Sequence, residues 1–158
     1  MNWLEVCEHP DLQDLPFKIE LDEAGKLVMS PTKVYHSIYQ GEIAYQLRML
    51  SPTGRTLVEC AIATRRGTKV ADVAWASPER LAIIQSEVEC SIAPELCVEV
   101  LSSTNTREEP RTKQQLYFEK GALEVWTCDP DGRLTFFDSA GQLERSTLFP
   151  AFLNRINI

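Results

Sequence analysis

Two acidic residues stand where an ion is costly. Glu99 lies inside the apolar run Leu96-Cys97-Val98-Glu99-Val100-Leu101, and Asp72 lies inside Val70-Ala71-Asp72-Val73-Ala74. Both runs have the length and the β-branched content of buried strands. Side chains alternate along a strand, so Glu99 shares a face with Cys97 and Leu101, while Asp72 points away from Ala71, Val73 and Trp75. Taking a carboxylate out of water costs several kcal/mol unless it is paired, hydrogen-bonded or bound to metal. Brought together, two carboxylates raise each other's pKa, and a divalent cation between them reverses that penalty. Oxygen-only ligation suits Mg²⁺ or Mn²⁺. The alternative is that each acid is solvated at a strand end, or paired with Arg65, Arg66 or Arg107.

A lysine follows the second acid. Lys113 sits one helical turn beyond Glu109, so a surface ion pair worth about 0.3–0.5 kcal/mol is one reading. In the other reading it projects back toward the carboxylates, where an ammonium holds an attacking water or offsets charge on a pentavalent phosphate. Tyr117 lies one further turn along that face, as packing or as part of the site.

The elements that must position these residues can be read from pattern. Phe17–Leu21 and Lys26–Ser30 flank "DEAG" as a strand–turn–strand unit. A long amphipathic helix is expected from Ser30 and Pro31 onward, with Val34, Ile38, Ile43 and Leu47 as its apolar positions. "RTLVECAIAT" and "KVADVAWAS" read as strands joined by the basic turn "RRGT", and "SPERLAIIQ" as a short helix begun by Ser77. After the Glu99 strand, expected over residues 94–101, "TREEPRTKQQLYFEKG" reads as a helix with Thr106 as cap and Gly121 as stop. "ALEVWTCD", "RLTFF" and "QLERSTLF" then read as strands separated by "DPDG" and "DSAG". The order implies an α+β fold with a mixed or largely antiparallel central sheet flanked by helices.

The bulk properties bound the answer. At 158 residues the chain is expected to form one domain, residues 1–158, large enough to fold without disulfide or metal staples. No apolar run approaches the roughly 20 residues of a membrane helix, and the start lacks the order of a secretory signal, so a cytoplasmic, non-membrane protein is expected. The five cysteines form no CxxC pair, and neither His9 nor His36 stands at zinc-ligand spacing from them, which reads as reduced thiols in or near the core. The net charge of −7 argues against a broad basic nucleic-acid surface. A local strip remains open, because Arg65, Arg66 and Lys69 cluster, as do Arg107, Arg111, Lys113 and Lys120.

Taken in order, "IELDEAGKLVMSP", His36, "ADVAW" and "PELCVEVLSSTNTREEPRTKQQLYFEKGALEVWTCDPDG" resemble the Uma-type restriction endonuclease family of bacteria, within the PD-(D/E)XK nuclease superfamily. The resemblance spans about residues 17–138. It implies a restriction-endonuclease-like core and Mg²⁺- or Mn²⁺-dependent hydrolysis of phosphodiester bonds in DNA. Carried over by position, Asp72 and Glu99 are the metal-binding acids, with a backbone carbonyl near Val100, and Lys113 is the catalytic lysine. Glu20, His36 and Tyr117 are accessory. Leu101 stands where the superfamily's pattern places lysine, and Ala71 and Ser103 stand where the family has proline. A homodimer is implied, since cutting two strands takes two sites. The rival is a catalytically silent dimeric binding or assembly module on the same scaffold, because a fold does not guarantee its chemistry. A glycosidase with two carboxylates ranks last, having no role for the lysine-bearing helix.

Overall fold

A computed structural model describes residues 1–103 and 108–158. The order of elements is α1 (Trp3–Glu8), a 3₁₀ turn (Pro10–Leu12), β1 (Phe17–Leu21), β2 (Leu27–Pro31), α2 (Val34–Leu50), β3 (Arg55–Thr64), β4 (Gly67–Ala76) and α3 (Pro78–Ile84), followed by β5 (Leu96–Val100), α4 (Glu108–Glu119), β6 (Glu124–Cys128), β7 (Leu134–Asp138) and β8 (Gly141–Leu143). The expected strands and helices all form, with shifted ends. Ser30 and Pro31 do not open a helix: they extend β2, where Pro31 is opposite Phe17, and α2 starts only after Lys33. A residue before proline prefers extended backbone, which favours the strand at Ser30. The last expected strand contracts to Gly141–Leu143. The expected cap at Thr106, like Arg107, lies outside the described residues. A short helix not expected from pattern, α1, carries a legible capping box: Asn2 accepts the Glu5 N–H, and Glu5 accepts the Asn2 N–H.

β3 to β8 form a six-stranded sheet in chain order, antiparallel except where β5 runs parallel to β6. That parallel pair requires a crossover, and α4 belongs to it. α2 covers one face, burying Tyr39, Ile43 and Leu47 against Val73, Val98 and Trp126. Tyr117 of α4 and Ile84 of α3 lie in the core on the other face, with Ala74, Cys97 and Val125. Trp126 and Phe136 are core residues in edge-to-face contact. Cys60, Cys90, Cys97 and Cys128 are buried and unbridged, while Cys7 is exposed on α1. Among the described residues no helix is long and apolar enough to cross a membrane.

The β1–β2 hairpin is a separate sheet, and its placement decides what Lys18 and Glu20 can reach. Its turn is held by the Asp22 carboxylate, which accepts the Ala24 and Lys26 N–H groups at 2.9 Å each. It lies against the β3–β4 turn, where Gly67 has a φ of 85°; a Cβ there would run into the Leu21 and Asp22 carbonyl oxygens. Only glycine suits both the dihedral and the close approach.

A third buried acid is structural. Glu124, 2% exposed, accepts hydrogen bonds from Trp126 Nε1 (2.8 Å), Ser146 Oγ (2.6 Å) and the Thr147 and Leu148 N–H groups (2.6 and 2.8 Å). It ties the segment after β8 to the sheet. Replacing Glu124 with Ala leaves several buried donors unmatched and is expected to remove about 3 kcal/mol of stability. Urea unfolding should show this as a lower midpoint with an unchanged slope.

Candidate active site

β4 and β5 pair through Ala74↔Cys97 and Val73↔Val98. One step further in that register Asp72 faces Glu99, and there the described pairing ends. Two like charges directly opposite on neighbouring strands repel. The strands part at this point, and Asp72 Oδ2 accepts the Val100 N–H at 2.7 Å. Asp72 is 1% exposed and Glu99 5%, so water does little to screen them.

Protein cations do that work. Lys18 of β1 places its Nζ 3.1 Å from Asp72 Oδ1 and 3.5 Å from Glu99 Oε2. Lys113 of α4 lies 2.9 Å from the Glu20 carboxylate and 3.6 Å from Glu99 Oε1. His36 Nε2, from the first turns of α2, is 3.4 Å from Asp72 Oδ2. Tyr117 donates its hydroxyl to Glu99 Oε1 at 2.5 Å, and Glu20 accepts the Val70 N–H at 2.6 Å. Three carboxylates thus face two ammonium groups, an excess of one negative charge when all are ionised. The cluster opens into a cleft of about 350 Å³ whose lining includes Lys33, Glu59, Ser102 and Pro110.

The acids are held in different states. Burial by itself would raise Asp72, but Lys18's charge and the bonds from His36 and Val100 outweigh it and hold this carboxyl well below its usual range. Glu20 is likewise lowered despite burial, by Lys113, Lys18 and the Val70 N–H. Glu99 goes the other way: burial raises it, with Asp72 and Glu20 adding to the effect, and the two lysines do not cancel it. Lys18 loses by burial, yet Glu99, Asp72 and Glu20 together push it above an ordinary lysine. Burial and the neighbouring Glu99 raise Tyr117, which keeps it a donor.

A family model described as Uma2, "Putative restriction endonuclease", matches residues 8–150, most of the chain. The chain belongs to the Uma2 family. Its fold is similar to the crystal structure of "a putative nuclease belonging to DUF820" from Anabaena variabilis, with a TM-score of 0.69 at 20% identity over 94% of this chain and 92% of that one. No curated protein matches. The family's description and the fold together support a restriction-endonuclease-like core.

For this Uma2 member, the structure brings together the acids, the lysine and the accessory residues singled out by pattern or resemblance. Asp72, Glu99, Lys113, Glu20, His36 and Tyr117 meet in one cluster. Val100 contributes its N–H to Asp72. Lys113 turns inward and is not a surface partner of Glu109 alone. The acids are not neutralised by Arg65 or Arg66, which pair on the surface with Glu119 (2.8 Å) and Glu23 (3.7 Å). The residue that sequence reasoning missed is Lys18. Alternation along Phe17–Leu21 puts it on one face with Glu20, a legible signal, but nothing local says which way the hairpin faces.

As to a metal, Asp72 and Glu99 offer only oxygen, and a point between them is already held by a cation, the Lys18 ammonium. Among the described residues no three His, Cys, Asp or Glu side chains form a ready-made metal cage. One or two carboxylates completed by solvent is what Mg²⁺ typically takes, so the donors fit in kind and number.

The pKa directions set the pH dependence in chelator-treated buffer. Asp72 and Glu20 contribute stability that is present above their ordinary values and is lost as pH falls through the lowered folded ones. Glu99 contributes oppositely: its share is full below the ordinary glutamate range and fades as pH rises through its raised folded value. Asp72→Asn is expected to cost about 2 kcal/mol at pH 6 and to give a shallower loss of stability between about pH 5 and 3. Thermal melts across that range check it.

Proposed function

We propose that this protein is a metal-dependent endonuclease that hydrolyses phosphodiester bonds in DNA. The observation that supports this best is the meeting of Asp72 and Glu99, from separate strands, on one cation at 3.1 and 3.5 Å beside an open cleft. Asp72 and Glu99, with the backbone carbonyl of Val100, are the ligands for Mg²⁺ or Mn²⁺. Bound there, the ion supplies Lewis-acid activation of water and offsets charge on the scissile phosphate. Lys113, anchored by Glu20, donates to the attacking water or to a phosphate oxygen. Tyr117 fixes one Glu99 oxygen, leaving the other toward Lys18, and His36 orients Asp72. Lys33, which lines the cleft, suits the DNA backbone. The cytoplasm is the proposed compartment, since five unbridged cysteines fit a reducing environment.

A second reading is favoured by a specific observation: Glu20, Asp72 and Glu99 already have partners in Lys18 and Lys113, so the cluster is satisfied by the chain itself. That suits the silent binding module. Plasmid DNA incubated with Mg²⁺ or Mn²⁺ separates the two. Nicking by wild type that falls at least about a hundredfold in Asp72→Ala supports the nuclease; no metal-dependent cutting by wild type supports the silent module. Calorimetric Mn²⁺ titration of Glu99→Gln beside wild type reports ligation separately.

Either reading is proposed to act as a homodimer. α2 buries one face, yet its opposite face carries Val34 (78% exposed), Ile38 (40%), Tyr45 (61%) and Met49 (66%). A helix that is apolar on both sides calls for a second partner. The four residues are spaced evenly about Gly41 and Glu42, so an antiparallel two-fold pairing sets Val34 over Met49 and Ile38 over Tyr45. A Cβ at Gly41 would meet nothing within 4 Å, leaving room for a partner helix. Light scattering is expected to give twice the 17.9 kDa chain mass, and Tyr45→Glu with Met49→Glu the single mass with unchanged circular dichroism.

A further inference from the structure

We propose that Lys18 is a built-in counter-cation of the acid pair, holding the place of the divalent ion between Asp72 and Glu99, and that metal binds by displacing it. The inference rests on Asp72 and Glu99 being the metal ligands and adds a residue and an exchange to that reading.

The geometry carries the argument. A single Nζ reaches one oxygen of each acid, Asp72 Oδ1 at 3.1 Å and Glu99 Oε2 at 3.5 Å. Asp72 and Glu99 would hold a divalent ion through the oxygens that now face Lys18. The remaining oxygens are engaged elsewhere: Asp72 Oδ2 accepts the Val100 N–H and lies near His36, and Glu99 Oε1 takes the Tyr117 hydroxyl with Lys113 beside it. An incoming ion therefore competes with Lys18 more directly than with any other group.

The means of release is also present. Lys18 is carried by the β1–β2 hairpin, outside the six-stranded sheet, whereas both acids belong to that sheet. Its ammonium ends a flexible four-carbon stem and lines the cleft, so it can leave the acids without moving either strand. Displaced into the cleft, it meets the space that a phosphodiester would fill. With a divalent ion added, the cluster of three acids, two lysines and metal carries one net positive charge, which a phosphodiester anion cancels. Metal affinity is thus held down in the free protein and raised when the anion is present, as linkage between sites requires.

Lys18→Met tests the exchange. Titrated with Mn²⁺ by calorimetry without DNA, the variant is expected to bind about tenfold or more tightly than wild type, within the usual range of such coupling. If wild type takes up Mn²⁺ and folded Lys18→Met binds it equally or more weakly, the displacement is overturned while the metal reading of Asp72 and Glu99 stands. If neither folded protein takes up Mn²⁺, both fall. Removing a buried ammonium can unfold the chain, so a second measurement uses wild type alone. Reductive methylation of lysines, read by peptide mass spectrometry, reports accessible amine; Lys18, buried and ion-paired with both acids, resists it. Saturation with Mn²⁺ is expected to increase Lys18 labelling several-fold, and unchanged or reduced labelling overturns the displacement.

Discussion

Asp72 and Glu99 occupy opposed positions at the place where β4 and β5 separate, and both are buried. Their mutual repulsion, added to the loss of hydration, would unfold this corner of the molecule if nothing offset it. Around that constraint the rest of the site is arranged. Four distinct elements bring the compensating groups: Lys18 from β1, His36 from α2, and Lys113 and Tyr117 from α4, with Val100 of β5 supplying a backbone donor. Removing any one of these elements would leave charge in a poorly hydrated space.

The same constraint explains features that look incidental. The hairpin β1–β2 shares no ladder with the main sheet, yet it must sit close enough for Glu20 to reach the Val70 N–H and for Lys18 to reach the acids. Gly67 permits that approach by having no Cβ against the hairpin carbonyls. The parallel pairing of β5 with β6 sends the chain through α4, which lays Lys113 and Tyr117 over Glu99. Leu101 brings no cation to the acids, and two arrive from other elements.

Buried acids do not all serve one purpose here. Glu124 is as buried as Asp72, but its partners are neutral N–H and O–H donors that hold the closing segment of the chain. The acids in the cleft are instead matched by cations and lie beside open space. That contrast, charge-matched and beside a cleft against hydrogen-bonded and sealed, separates the acid cluster from a purely structural buried carboxylate.

Much of this was written locally. An isolated acid in an apolar strand is conspicuous at Asp72 and Glu99, alternation and 3.6-residue spacing define most elements, and Gly121 and Ser77 mark helix ends. The order of motifs along the chain also carried the family resemblance, since order is a property of sequence. Other features depended on distance through space. Whether the acids share a site depends on the register of β4 against β5, and whether Lys113 faces inward depends on how the crossover places α4. Lys18 lies 54 residues from Asp72 and 81 from Glu99, and the pose of its hairpin is set by packing at Gly67 and by the Glu20–Val70 bond. Short-range periodicity tells which face of an element a residue occupies; what that face meets is decided only when the elements pack.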